Sequence, residues 1–184
     1  ENSNDCVFVV ENVEALPDTS TMEKLATACN SPYEPRFEIY EGQDFYQLDL
    51  APNYEASLCI RIRTKKDFSK AQFQIIDLWS YAFNEMMQMM FAFATANKRA
   101  IHVHSSVTMK NGKGYMFFGL SGTGKSTHSQ LWINNIEGCS LLNDDNPVIR
   151  IGEDGIARVY GTPWSGKTPC YRNLDFPIGA IVKS

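Results

Sequence analysis

One segment constrains this chain more than any other. Gly119-Leu120-Ser121-Gly122-Thr123-Gly124-Lys125-Ser126 satisfies G-x-x-x-x-G-K-[ST] in full, with Thr127 continuing its polar edge. The apolar run Tyr115–Phe118 stands directly before it and a helix candidate over residues 126–133 directly after. Glycines allow a tight strand-to-helix turn in which successive backbone N–H groups converge, and the positive end of the helix faces the same point. Such a strand–loop–helix unit is a phosphate cradle, and it implies an α/β or α+β core around it. In that chemistry Lys125 reaches the β and γ phosphates of a nucleoside triphosphate and the Ser126 hydroxyl ligates Mg2+.

The next feature depends on the first. Leu141-Leu142-Asn143-Asp144-Asp145 puts two adjacent carboxylates at the end of an apolar strand. By itself Asp-Asp-Asn-Pro reads as a turn, but after a phosphate loop it falls where the metal-binding acid belongs. One carboxylate can serve Mg2+, directly or through water, while the other accepts a proton. Upstream, His102 and His104 occupy alternate positions of a strand expected over residues 101–109, so both point to one face. An H-x-H pair is a weak metal signal, and structural histidines are the common outcome. His128, on the helix after the loop, is read as structural.

The rest of the chain supplies the frame. Strands are expected at residues 7–10, 37–40, 45–50, 58–63 and 73–76, with Glu41-Gly42-Gln43-Asp44 as a hairpin turn. Alternation through Leu58–Arg63 suggests an antiparallel sheet wet on one face. Ser20-x-x-Glu23 has the form of a capping box and predicts a short helix reaching Cys29. Leu78, Trp79, Ala82, Phe83, Met86, Met90 and Phe93 recur at helical spacing, which predicts a long buried helix over residues 77–98, packed between two halves. Its methionines are read as core filler. Shorter strands are expected at residues 141–142, 147–151, 156–160 and 178–182. The division is therefore a small, mostly β unit over residues 1–76 and a helix plus phosphate-loop core over residues 77–184.

Charge and cysteines narrow the classes. With 184 residues and a net charge of −4, the chain has no basic arm or general attraction for nucleic acid. Five widely spaced cysteines without a C-x-x-C pair argue against a disulfide framework or a zinc site, and fit the cytoplasm. The most apolar stretch, residues 86–96, is too short to span a bilayer, so no membrane association is expected.

The order His104-Ser-Ser-Val, Phe-Phe-Gly-Leu-Ser-Gly-Thr-Gly-Lys-Ser-Thr, Leu-Leu-Asn-Asp-Asp resembles the shared core of HPr kinase/phosphorylases and ATP-dependent phosphoenolpyruvate carboxykinases. The corresponding carboxykinase pieces read roughly H-C-S-A-N-V, F-F-G-L-S-G-T-G-K-T-T and L-I-G-D-D. The resemblance covers about residues 101–168, and the preceding β unit looks more like HPr-kinase-like proteins of unassigned substrate.

It implies that His104, not His102, is the active-site histidine. Asp144 and Asp145 would be the metal-binding and acid/base pair, and Ser126, Asp144, Asp145 and His104 the metal site. In Tyr160-Gly-Thr-Pro-Trp-Ser-Gly-Lys167, Lys167 or Ser165 would touch the phosphates. ATP with Mg2+, or Mn2+ in its place, is the implied cofactor set.

The main expectation is a phosphotransferase acting on a serine hydroxyl of a protein or on a small molecule. Alternatives are a carboxykinase-like reaction on oxaloacetate, or a nucleotide-binding module without turnover. The run after Lys125 is shorter than either family uses, so a truncated C-terminus is expected. The phosphoryl acceptor and the oligomeric state are left open.

Overall fold

The structure, a computed structural model, describes residues 7–29, 31–77, 81–166 and 168–183. Lys167, Leu78 and Trp79, named above, and Cys6, one of the five cysteines, lie outside the described residues. The chain divides into two compact units, Glu1–Ala94 and Thr95–Ser184. Each carries one mixed sheet, and with the two helices the arrangement is α+β.

The first unit is a six-stranded sheet in the order β1-β6-β5-β4-β3-β2. Its strands are β1 (Val9–Asn12), β2 (Glu23–Ala28), β3 (Arg36–Glu41), β4 (Phe45–Ala51), β5 (Ile60–Lys65) and β6 (Lys70–Ile75). All neighbours are antiparallel except β1 and β6. The alternation read in the sequence is realised on β5, where Ile60, Ile62 and Thr64 are buried. On the opposite face Arg61 forks onto Asp49, with Nε and Nη2 each donating at 2.9 Å, and Arg63 donates to Gln47 Oε1.

Two expectations for this unit change. The capping-box segment is not a helix. Residues 23–28 form β2, paired antiparallel with β3 from Glu23 opposite Glu41 to Ala28 opposite Phe37. Ser20 is already engaged, its N–H and Oγ both donating to Asp18 Oδ1, and Lys24 bridges across the strands to Glu38 at 2.7 Å. Met22, Leu25, Ala26 and Cys29 do recur at helical spacing, but so short a helix is marginal by itself, whereas β3 offers the segment a full ladder.

The long helix is shorter than expected. Helix α1 spans Ala82–Thr95, continues as a 3-10 turn over Ala96–Lys98, and stops at Arg99 in left-handed conformation (φ 54°). Its buried face, Ala82, Met86 and Met90, joins Leu48, Leu50, Ile60 and Ile62 in the core of the first unit. The methionines fill that core as read, and the helix expected between two halves contributes to the β unit's own interior.

The second unit has a seven-stranded sheet in the order β10-β8-β9-β13-β12-β11-β7. Its strands are β7 (Ala100–His102), β8 (Ser105–Lys110), β9 (Lys113–Phe118), β10 (Ser140–Asp145), β11 (Val148–Ile151), β12 (Ala157–Tyr160) and β13 (Asp175–Lys183), with α2 over Lys125–Asn135. Phe117 stacks on His128, with ring centroids 4.4 Å apart, and meets Trp132 edge-on, which seats α2 on the sheet. His128 is thus a packing residue, as read. On the other face Val107, Met116, Leu142 and Val159 form a core without solvent exposure.

The single strand expected over residues 101–109 is two strands. β7 lies at the sheet edge beside β11, whereas β8 runs between β9 and β10. Between them Val103 N–H donates to Pro147 O. His102 therefore sits on β7 and His104 in the connection, and their expected common face is lost.

Candidate functional site

Strand β9 delivers the chain into the glycine-rich loop and α2 takes it away. Gly122 (φ 81°) and Gly124 (φ 93°) adopt the left-handed conformation, and a Cβ at either would meet open space. Glycine is needed there for the backbone path rather than for room. Thr123 Oγ1 donates to Leu120 O at 2.9 Å, while the Leu120 side chain is 82% exposed. Lys125, at the start of α2, is buried, and its Nζ donates to Gly119 O at 3.0 Å and Leu120 O at 3.1 Å. The ammonium is held over the loop, at the positive end of the helix.

Ser126 Oγ donates to Asp144 Oδ1 at 2.9 Å. A register shift in β10 makes that contact possible. Leu141 pairs with Thr108, but after the shift Asn143 pairs with Val107, Asp144 with Ser106 and Asp145 with Ser105. An unbroken ladder would put Asn143 opposite Ser106 and turn Asp144 to the other face. The bulge thus aims Asp144 at α2.

Asp145 follows with φ 131°, a backbone conformation that only surrounding structure can hold in a residue with a side chain. Its Oδ1 lies 2.9 Å from His104 Nδ1, and Asn146 Nδ2 donates to its Oδ2 at 3.1 Å. A β-bridge joins Asp145 to Ser165, and both Gly166 N–H and Ser165 Oγ donate to Asp144 O. At Gly166 an added Cβ would come within 3.1 Å of Asp145 Cβ, so this loop closes tightly over the carboxylates.

These groups line one open cleft of about 450 Å3. Of the residues expected in the site, His104, Ser121, Gly122, Gly124, Lys125, Ser126, Thr127, Asp144 and Asp145 line it. Leu120 points to solvent and Ser165 spends its hydroxyl on Asp144 O and Thr168 O. Ser105, Ser106, Gly166 and Thr168 also line the cleft and were not singled out from sequence. Short polar residues carry little signal by themselves, and only the pairing of β8 with β10 brings the serines here.

His102 is elsewhere. Its ring meets Trp164 edge-on with centroids 5.0 Å apart, and burial lowers its pKa below the usual histidine value, opposed by a backbone hydrogen bond at Asn146.

A divalent cation fits the donor set. A hydroxyl and a carboxylate at the head of the helix are hard oxygen ligands, the kind Mg2+ takes alongside phosphate oxygens and water. Among the described residues no three His, Cys, Asp or Glu side chains gather into a metal cage, so the four-residue set His104, Ser126, Asp144 and Asp145 is split into two pairs. The described cysteines, Cys29, Cys59, Cys139 and Cys170, are free thiols. No helix among the described residues is long and apolar enough to cross a membrane.

The second unit is thus an α+β sheet protein with a glycine loop, a buried lysine and an acid pair opening on one cleft. The family model for phosphoenolpyruvate carboxykinase matches residues 8–161, and the chain belongs to the ATP-dependent phosphoenolpyruvate carboxykinase family. No curated protein matches the chain. Of the two families that its motifs resemble, the match supports the carboxykinases, and with them ATP-dependent phosphotransferase or carboxykinase activity using ATP and a divalent metal. The carboxykinase-like alternative accordingly fits better than the HPr-kinase-like reading.

Proposed function

We propose that the cleft binds a Mg2+–ATP complex and supports phosphoryl transfer of the carboxykinase type. The observation that carries the reading is the convergence of Lys125, the Ser126–Asp144 pair and the His104–Asp145 pair on one cavity. Lys125 and the loop N–H groups hold and neutralise the triphosphate, replacing the contacts Lys125 now makes to Gly119 O and Leu120 O. The metal, when bound, neutralises charge on the β and γ phosphates. Ser126 and Asp144 would hold it, directly or through water, with the Ser126 hydroxyl keeping its hydrogen bond to Asp144. His104 and Asp145 face the acceptor. In the transfer the bond from the γ phosphorus to its bridging oxygen breaks, ADP leaves, and a bond to the acceptor oxygen forms.

In a carboxykinase reaction that acceptor is the enolate oxygen left when oxaloacetate loses CO2, and no proton need be removed. A second reading has a hydroxyl acceptor, as in HPr-kinase-like enzymes. It is favoured by the His104–Asp145 pair, which can take the hydroxyl proton, and by a lining without arginine among the described residues for substrate carboxylates.

Calorimetric titration with MgATP and MgADP tests binding. Phosphorus NMR of turnover with oxaloacetate, and separately with hydroxyl acceptors, tests the reaction. Absence of MgATP binding overturns both readings, and transfer to a hydroxyl without oxaloacetate turnover selects the second.

A further inference from the structure

We propose that Asn143 is a positioning residue for both acids of the cleft, Asp144 and Asp145, an inference that rests on the function proposed above. Its side chain is wholly buried and is bonded at both ends. Oδ1 accepts from Asn146 N–H at 3.1 Å. Nδ2 donates to Thr162 Oγ1 at 3.1 Å, with Trp164 O at 3.3 Å and Thr162 O at 3.4 Å within reach. Thr162 in turn donates to Asn146 O at 2.7 Å and accepts from Trp164 N–H at 3.2 Å.

The two ends of the amide do different work. By capturing the N–H three residues ahead, Oδ1 closes the end of β10 into a turn that encloses Asp144 and Asp145. Within that turn Asp145 takes φ 131° while still paired with Ser105, and its carboxylate meets His104. Side-chain carbonyls of Asn commonly build such turns, but seldom while wholly buried. Nδ2 fixes the segment from Thr162 to Trp164, which sets the next two residues, Ser165 and Gly166, on Asp144 O. One amide therefore determines where Asp145 points and what clamps Asp144. Asn143 has no contact with the cleft itself, so it acts through these neighbours.

Asn143→Ala, Asn143→Asp and Thr162→Val in the full chain separate the two ends. Aspartate can still accept from Asn146 N–H but has no N–H for the loop, and Thr162→Val removes the loop's side of the same bond together with the Thr162 hydroxyl's bond to Asn146 O, leaving Asn146 N–H on Asn143 Oδ1. Amide hydrogen exchange reads the geometry without any ligand. In Asn143→Ala, protection is lost at Asn146 and Gly166 while the β8–β9 ladder keeps its own. In Asn143→Asp and Thr162→Val it is lost at Gly166.

Calorimetry with ATP, with and without Mg2+, reads the consequence. Supporting shells of metal sites are worth about tenfold to a hundredfold in affinity, and Asn143→Ala should weaken MgATP binding by that factor while leaving metal-free ATP binding unchanged. Unaltered protection at Gly166 in folded variants overturns the proposal, as does equal weakening with and without metal. If Asn143→Ala does not fold, Asn143→Asp and Thr162→Val decide. A wild-type chain that binds no MgATP overturns the function proposed above, and the exchange pattern then decides on Asn143 by itself.

Discussion

Ser106 Oγ and Ser129 Oγ lie 2.6 Å apart, both side chains buried, joining β8 to α2. Ser106 is also the cross-strand partner of Asp144, and Ser129 sits one turn along the helix from Ser126, whose hydroxyl meets Asp144. Three elements are thereby tied in a triangle: β8 to the helix by two hydroxyls, the helix to β10 by a hydroxyl and a carboxylate, and β10 to β8 by the ladder. The position of the Ser126 hydroxyl is set by this frame rather than by the glycine loop alone.

Each of Ser106→Ala and Ser129→Ala leaves a buried hydroxyl without its partner and should cost about 1–3 kcal/mol of stability. The double variant removes both groups, so its loss should be less than the sum of the singles. Denaturant unfolding of the four proteins in a double-mutant cycle measures the coupling. Strict additivity would mean that the two hydroxyls do not depend on each other.

Lys125→Ala removes the buried ammonium from the loop. MgATP binding should weaken by about 1.5–3 kcal/mol, the range for hydrogen bonds to charged groups. Because Nζ bonds only loop carbonyls among the described residues, unfolding stability should change less than affinity does. Calorimetric titration beside thermal unfolding checks both parts.

Asp144→Asn keeps the size of the side chain and an oxygen to accept from Ser126, and removes the charge that a hard cation needs. The fold should persist. The gain in triphosphate affinity on adding Mg2+ should shrink, while affinity without metal should hold or improve as repulsion from the phosphates is relieved. A titration of ATP across Mg2+ concentrations reads this directly.

Much of the second unit was legible because its signals are local. The apolar run before Gly119, the left-handed glycines and the helix after them need only neighbouring residues, and so, in the first unit, does the alternation on β5. The failures involve distant partners. Residues 23–28 follow a helix cap yet lie in a sheet, since β3 offers a ladder that so short a helix cannot match.

The break between β7 and β8 depends on Pro147 O and on β11, far along the chain. The β10 bulge, which turns Asp144 rather than Asn143 toward the helix, is a matter of register, and no composition signal encodes it. Asn143 was passed over for the same reason. Its role lies in Thr162 and Trp164, visible only once β10 and the later loop are adjacent.

His102 and His104, alternate residues in the chain, are expected to respond oppositely to substitution. His104 lines the cleft with Nδ1 on Asp145, so His104→Ala should impair phosphoryl transfer with little loss of stability. His102 packs against Trp164 and has its pKa lowered by burial, so His102→Ala should cost packing and leave nucleotide affinity intact.

The pH dependence separates them further. At pH above the unfolded histidine value of about 6.5, His102 is neutral in both states and contributes no slope. As pH falls through 6.5 the unfolded chain takes up a proton that the folded chain resists, so stability declines, until the folded value is passed and the loss levels off. His102→Phe removes that titration and should flatten the slope of unfolding free energy between pH 6.5 and the folded value. Denaturant unfolding at a series of pH values, for wild type and His102→Phe, makes the measurement. An identical slope in the two proteins would show that His102 is not the group whose burial resists protonation, and loss of transfer in His102→Ala with its stability intact would move the active-site role from His104 to His102.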